Sequence, residues 1–282
     1  MKKIAWVTDS TAYMDEELGN HPDVYTIPLS ILLDEKEYLD GIDLSPYELF
    51  DKLKIIQSPP KTSQPSIGSF IHLFNTLKNE YDAIISILVS EKLSGTVSSS
   101  EQAGKLVDIP VITIDSKILT YPLSVQIKKG IKWLQSGLSI NEVKGKLESL
   151  RDTNEAFVLV GDLEQLHRSG RLSGLQFLIG SVLNIKPIIS IEDGALSIKE
   201  KVRSAKKAKE KIIQYLRSSW ERHHFKEVYL LYGLHDDEVK KWKEDLMKLF
   251  PLIDFQCYPL GATIGVHAGE NTIGISWYKG LK

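Results

Sequence analysis

Hydrophobic and polar positions alternate in a repeated order along the first half of the chain. Three short apolar runs, at 3–8, 84–90 and 111–114, each end in a polar turn and are followed by a helical pattern. Runs of this length that are rich in Ile and Val are typical of strands buried on both faces. The order of strand, polar turn and helix therefore predicts βα units and a largely parallel sheet flanked by helices.

The second half has a different pattern. Residues 185–191 and 195–202 are predicted strands joined by Glu192-Asp193-Gly194, and an Asp-Gly turn is a strong signal for an antiparallel hairpin. Further strands are predicted at 156–161, 228–232, 253–258 and 272–277, and helices at 204–216 and 236–249. We expect a two-domain α/β protein.

The predicted domains are an N-terminal α/β domain at 1–155 and a C-terminal α/β domain at 156–282. The sheet of the second domain is expected to be mixed, with antiparallel strands. We expect a ligand to lie between and within the two domains.

Composition narrows the class of protein. The chain of 282 residues is 42% hydrophobic and 26% charged, as in ordinary soluble proteins. Its net charge of -2 does not favour any class of binding partner. The single cysteine, Cys257, cannot form an intramolecular disulfide, which indicates a reducing compartment. The apolar stretch after Lys3 is too short for a signal peptide, and no segment approaches the roughly 20 apolar residues that span a bilayer. We therefore expect a cytoplasmic protein.

Familiar catalytic and metal-binding motifs are missing. The sequence has no G-x-x-x-x-G-K-[ST] loop, no G-x-G-x-x-G after the first strand, no H-E-x-x-H and no G-x-S-x-G. His223 and His224 are adjacent on a predicted helix, so their side chains point in different directions. The basic run 199–211 is interpreted as a solvated helix face. We expect no cofactor, no metal site and no nucleic-acid partner.

Four hydroxyl-rich or glycine-rich loops supply the candidate site, at 8–11, 62–66, 94–96 and 261–269. Each loop alone is also explained by helix capping. Ligands of parallel sheets bind beyond the carboxyl ends of the strands, where such loops lie side by side. Gly95 lets backbone amides approach a ligand, and the hydroxyls of Ser94 and Thr96 add donors where a helix begins.

Two further side chains are candidates because glycines flank them. His267 lies between Gly265 and Gly269, which predicts an imidazole on a loop that reaches into a crevice. Arg171 lies on the turn 168–174, ahead of a predicted apolar helix, where a guanidinium can meet phosphate or carboxylate. An exposed histidine and a structural ion pair are the alternatives.

The chain resembles the DegV family of fatty-acid-binding proteins, which includes the FakB subunits of bacterial fatty acid kinase. The resemblance covers essentially the whole chain. It is carried by seven ordered motifs: Val7-Thr8-Asp9-Ser10-Thr11, Thr62-Ser63-Gln64-Pro65-Ser66, Leu93-Ser94-Gly95-Thr96, Asp115-Ser116, Gly170-Arg171-Leu172-Ser173, Ile185-Lys186-Pro187-Ile188 and Gly265-Val266-His267-Ala268-Gly269.

This resemblance implies a DegV-like bacterial protein that binds one long-chain fatty acid and is not itself an enzyme. It would present the carboxylate to a separate ATP-dependent kinase, which makes acyl phosphate for phospholipid synthesis. By the same resemblance, Thr62, Ser94 and His267 bind the carboxylate, and Arg171 takes part in phosphoryl transfer. We expect a monomer, and this function allows a transient contact with a membrane surface.

Two other functions stay open at this point. The chain could be a hydrolase or acyltransferase with Ser94 as nucleophile and His267 as base, since catalytic triads recur on unrelated folds. It could also be a regulatory domain for a small phosphorylated or polyol ligand.

Overall fold

A computed structural model describes residues 3–172 and 185–281. The chain divides into two compact units. Unit 1 comprises Met1–Arg151 and Gly261–Thr263, and unit 2 comprises Asp152–Leu260 and Ile264–Lys282. The apolar helix predicted after the turn at 168–174 lies outside the described residues.

Unit 1 contains seven described strands: β1 (Ile4–Asp9), β2 (Val24–Ile27), β3 (Ser30–Leu33), β4 (Lys36–Leu39), β5 (Lys61–Ser63), β6 (Ala83–Leu88) and β7 (Val111–Asp115). Its described helices are α1 (Glu16–Gly19), α2 (Pro46–Leu53), α3 (Ile67–Leu77), α4 (Thr96–Gly104), α5 (Thr120–Gln135) and α6 (Ile140–Arg151).

The main sheet of unit 1 has the order β2-β1-β6-β7, and all its pairs are parallel. Every residue of β1 and β6 is buried, as expected for central strands covered on both faces. Ala5 and Val7 pack with apolar residues of α3 and α4, whereas the ring of Trp6 lies against Gly130 of α5 on the other face. The predicted parallel sheet flanked by helices is confirmed.

A second, three-stranded sheet of unit 1 has the order β4-β3-β5 and is antiparallel. Its hairpin turns at Asp34, which has a positive φ of 53°. Thr62 lies in β5, paired with Ile31, and α3 follows with Ser66 as its N-cap. This sheet therefore fixes the backbone at Thr62.

Unit 2 contains six described strands: β8 (Asn154–Leu159), β9 (Lys186–Glu192), β10 (Ala195–Val202), β11 (Glu227–Tyr232), β12 (Asp254–Pro259) and β13 (Ile273–Tyr278). Its described helices are α7 (Leu163–Arg168), α8 (Ala205–His223) and α9 (Asp237–Leu249). A last helix, α10 (Ala262–Ala268), begins in unit 1 and ends in unit 2.

The sheet of unit 2 has the order β10-β9-β8-β13-β11-β12, and only the β11–β12 pair is parallel. Asp193 and Gly194 both have positive φ, as a tight hairpin turn requires. Phe225 stacks on Trp277 in a core that includes Trp242 of α9 and Leu216 of α8. The predicted mixed sheet with antiparallel strands is confirmed.

The start of α5 and the end of α8 have local explanations. Helix α5 begins at Thr120, with Pro122 in its first turn, where a proline costs no hydrogen bond. The helix expected to end at Leu216 continues to His223 and is closed by His224 in the left-handed conformation. Within the described part of the chain, every helix is too short or too polar to cross a bilayer.

Candidate functional site

A buried carboxylate joins the carboxyl ends of the two central strands of unit 1. Asp9, the last residue of β1, accepts hydrogen bonds from the Thr11 backbone N–H at 2.9 Å and the Thr11 hydroxyl at 2.6 Å. Its other oxygen accepts from the Val89 backbone N–H, just after β6, at 2.7 Å. Burial raises the pKa of Asp9, and these hydrogen bonds oppose the rise. The loops after β1 and β6 are thereby held together.

A second buried carboxylate, Asp40, lies close to the first. It accepts from the Ser10 hydroxyl at 3.0 Å and from the Thr263 backbone N–H at 3.4 Å, in the first turn of α10. Burial raises the pKa of Asp40, and its negative charge contributes to the raised pKa of Asp9. The two carboxylates and their hydrogen-bond donors therefore lie at the carboxyl ends of the parallel strands.

The turn at Ser94, Gly95 and Thr96 leads from β6 into α4. Gly95 is the N-cap, and no side chain caps this end of the helix. The hydroxyls of Ser94 and Thr96 lie 2.8 Å apart and are hydrogen-bonded to each other. The N-terminus of a helix carries a partial positive charge that favours an anion. This turn therefore offers an anion two hydroxyl donors and the N-terminus of a helix. The turn itself, Ser94-Gly95-Thr96, contains no lysine or arginine.

The segment that carries Thr62 packs against this turn. A Cβ atom built on Gly95 would lie 2.8 Å from Nε2 and 3.1 Å from Cδ of Gln64. The carboxamide of Gln64 therefore lies against Gly95, and a larger residue at position 95 would require this flexible side chain to shift. Through this contact the structure brings the predicted residues Thr62, Ser94, Gly95 and Thr96 into one region of unit 1.

The other two predicted residues, His267 and Arg171, belong to unit 2. The prediction that His267 lies on a loop is wrong, because residues 262–268 form α10 and the histidine is in its last turn. The three glycines at 261, 265 and 269 suggested a loop, but only Gly265 is inside the helix. Gly269, with a φ of +84°, comes directly after its last residue.

His267 is mostly buried, which lowers its pKa to about 4, and the positive charge of Arg171 adds to this effect. The imidazole is therefore neutral at pH 7. Arg171 lies on the turn after α7, where Gly170 has a φ of +73° and the guanidinium donates to the Ser169 carbonyl oxygen. The structure thus brings a neutral histidine and an arginine close enough to interact electrostatically within unit 2.

Sequence reasoning missed Asp40 and Gln64 as candidate site residues. Asp40 follows a short, partly exposed strand and belongs to no local motif, so only the fold shows that it is buried. Gln64 is part of the motif Thr62–Ser66. Its position before Pro65 predicts an extended backbone there, which was the one local sign of its placement. In the described ranges 3–172 and 185–281, no three His, Cys, Asp or Glu side chains are grouped to hold a metal ion.

The two larger sheets, one parallel and one mixed, and the helices beside them define an α/β class of protein. Residues 3–280 match the family described as "Uncharacterised protein, DegV family". The chain therefore belongs to the DegV family.

Solved structures agree with this assignment. The crystal structure of "DegV, a fatty acid binding protein from Bacillus subtilis" is 34% identical, with a TM-score of 0.89 and 99% of each chain covered. The structure "Fatty Acid Binding of a DegV family Protein from Thermus thermophilus" is 30% identical, with a TM-score of 0.90, over 98% of this chain and 99% of that one.

A more distant structure shares the fold. The Streptococcus pneumoniae "Fatty Acid Kinase (Fak) B3 protein loaded with linoleic acid" is 18% identical, with a TM-score of 0.84, over 98% of this chain and 99% of that one. At this identity the likeness establishes a common fold and nothing about the ligand.

Proposed function

We propose that this protein binds one long-chain fatty acid and that Thr62, Ser94, Gly95, Thr96 and His267 bind its carboxylate. The main support for the proposal is the uncapped N-terminus of α4, where the hydroxyls of Ser94 and Thr96 are hydrogen-bonded to each other and Gly95 contacts Gln64, two residues after Thr62. The fatty-acid-binding relatives of B. subtilis and T. thermophilus support the same ligand.

The chemistry of these side chains suits a carboxylate that must react later. A carboxylate out of water needs hydrogen-bond donors, and hydroxyl groups donate to the charged form or accept from the neutral acid. The neutral imidazole of His267 adds a polar group without a full positive charge. The head group is thereby oriented without a strong ion pair.

Affinity then comes mainly from the hydrocarbon tail. About fifteen methylenes at about 0.8 kcal/mol each correspond to roughly 12 kcal/mol of transfer free energy. Lost translational freedom and ordering of the chain offset much of this.

The second part of the proposal is that the bound carboxylate is presented to a separate ATP-dependent fatty acid kinase, with Arg171 acting in phosphoryl transfer. A guanidinium matches the geometry of a phosphate group. The motif Gly170-Arg171-Leu172-Ser173 supports this role through its resemblance to the family. The neighbouring His267 is neutral at pH 7, so it adds no second positive charge beside Arg171.

The binding site is tested with Ser94→Ala, measured by titration with oleic acid. Loss of a hydrogen-bond donor to a charged group is expected to weaken binding by about 1 to 3 kcal/mol. Ser98→Ala, at an exposed serine of α4, is the matched control. Equal affinities of the wild type and Ser94→Ala would contradict the assignment.

Transfer is tested with Arg171→Ala, assayed for acyl phosphate formation with ATP and the cognate kinase. We expect fatty-acid binding to persist and acyl phosphate formation to fall. Arg168→Ala is the control, because Arg168 is exposed and pairs with Glu164. Full transfer by Arg171→Ala would remove this residue from the mechanism.

A further inference from the structure

The side chain of Gln64 packs against the Ser94 turn, and no hydrogen bond to the described part of the protein holds it there. The residue is exposed, and its carboxamide rests on Gly95. Across residues 3–172 and 185–281, the amide N–H groups of Gln64 donate to no protein atom. Only its backbone oxygen is used, as the acceptor of the Ser63 hydroxyl at 3.3 Å. Two strong donors are therefore available beside the Ser94 turn.

The backbone accounts for this placement. Gln64 precedes Pro65, and the residue before a proline is restricted to extended conformations. Strand β5, which carries Thr62, ends at Ser63 and leads directly into Gln64. The Gln64 amide lies against Gly95, at the N-terminus of α4.

We infer that Gln64 determines the specificity for the head group of the ligand, by donating its amide N–H groups to a carboxylate bound beside Ser94. This inference rests on the proposed function and deepens it. Hydrogen bonds to an ionised acceptor are about twice as strong as those to a neutral acceptor. An amide in this position therefore favours a fatty acid over a fatty alcohol with the same tail.

The experiment compares two probes, oleic acid and oleyl alcohol, which share a tail and differ in the head group. Their dissociation constants are measured at pH 8 for the wild type, Gln64→Ala and Gln64→Glu. Gln102→Ala is the matched control, because Gln102 is an exposed glutamine of α4 whose amide donates to Ser98.

We expect Gln64→Ala to bind oleic acid about tenfold more weakly and oleyl alcohol within about twofold of the wild type. Gln64→Glu is expected to lose more affinity for the acid, because it places a like charge beside the carboxylate. Gln102→Ala is expected to bind both probes as the wild type does.

Three results would overturn the inference in different ways. An unchanged affinity of Gln64→Ala for oleic acid would exclude Gln64 from the site. An equal loss for acid and alcohol would show a merely structural role. A wild type that binds neither probe would refute the proposed function itself, and this inference with it.

Discussion

The lowered pKa of His267 predicts how stability changes with pH. An unfolded chain has a histidine pKa of about 6.5, whereas burial and Arg171 lower it to about 4 in the folded protein. The unfolded state therefore takes up a proton first as the pH falls. The stabilisation by neutral His267 is fully present above pH 6.5 and is lost progressively as the pH falls towards 4.

The magnitude follows from these two values. Proton uptake by the unfolded state between pH 7 and pH 5 amounts to about 2 kcal/mol of unfolding free energy, at 1.36 kcal/mol per pKa unit. The raised pKa values of Asp9 and Asp40 act in the opposite direction, because the folded state binds those protons more tightly as the pH falls. The test must therefore compare variants and not a single curve.

The assay is urea unfolding of the wild type and His267→Gln at pH 7, 6 and 5. His267→Gln removes the titrating group, so the difference between the two proteins should shrink or reverse by about 2 kcal/mol at pH 5. His72→Gln, at an exposed position of α3, is the matched control. Parallel pH dependences of the wild type and His267→Gln would refute the reasoning, as would a histidine NMR resonance that titrates near 6.5 and is lost in His267→Gln.

Two further predictions concern stability. Gly233→Ala should destabilise unit 2 by more than about 3 kcal/mol, because its Cβ would lie 2.3 Å from the backbone oxygen of Glu270. Gly145→Ala should instead stabilise the protein by up to about 1 kcal/mol, because Gly145 is in α6 and a Cβ there would meet open space. Urea unfolding measures both, and a tolerated Gly233→Ala would show that the close approach is wrong. Asp9→Asn should lose about 1 to 3 kcal/mol at pH 7, because Thr11 and Val89 donate to opposite carboxylate oxygens and the NH2 group of asparagine cannot accept a hydrogen bond in place of one of them. Unchanged thermal stability would contradict that bond pattern.

Much of the fold could be predicted because local signals and burial agree. The strands β1, β6 and β7 are apolar runs that end in polar turns, and the Asp193-Gly194 turn determines its hairpin locally. The three-stranded sheet was harder to predict from the sequence. Residues 30–39 suggest a chain reversal, but the pairing of Ile31 with Thr62 depends on residues far apart in sequence.

The site was harder to predict, since hydroxyl-rich turns look alike whether they cap helices or bind ligands. Asp40 shows this limit, because it follows the half-buried Leu39 and precedes the exposed Gly41 and Ile42, yet Asp40 itself is only 4% exposed. His267 shows another, since closely spaced glycines favour a loop by composition. In the fold one of those glycines ends the helix instead, and burial changes the charge state of the imidazole.

Native mass spectrometry can show directly whether this protein binds a long-chain fatty acid. The purified protein is weighed intact, denatured to release any ligand, and weighed again after incubation with oleic acid. We expect one fatty acid for each chain, either retained on purification or taken up from the added acid. A protein that is empty and stays empty in the presence of excess oleic acid would contradict it.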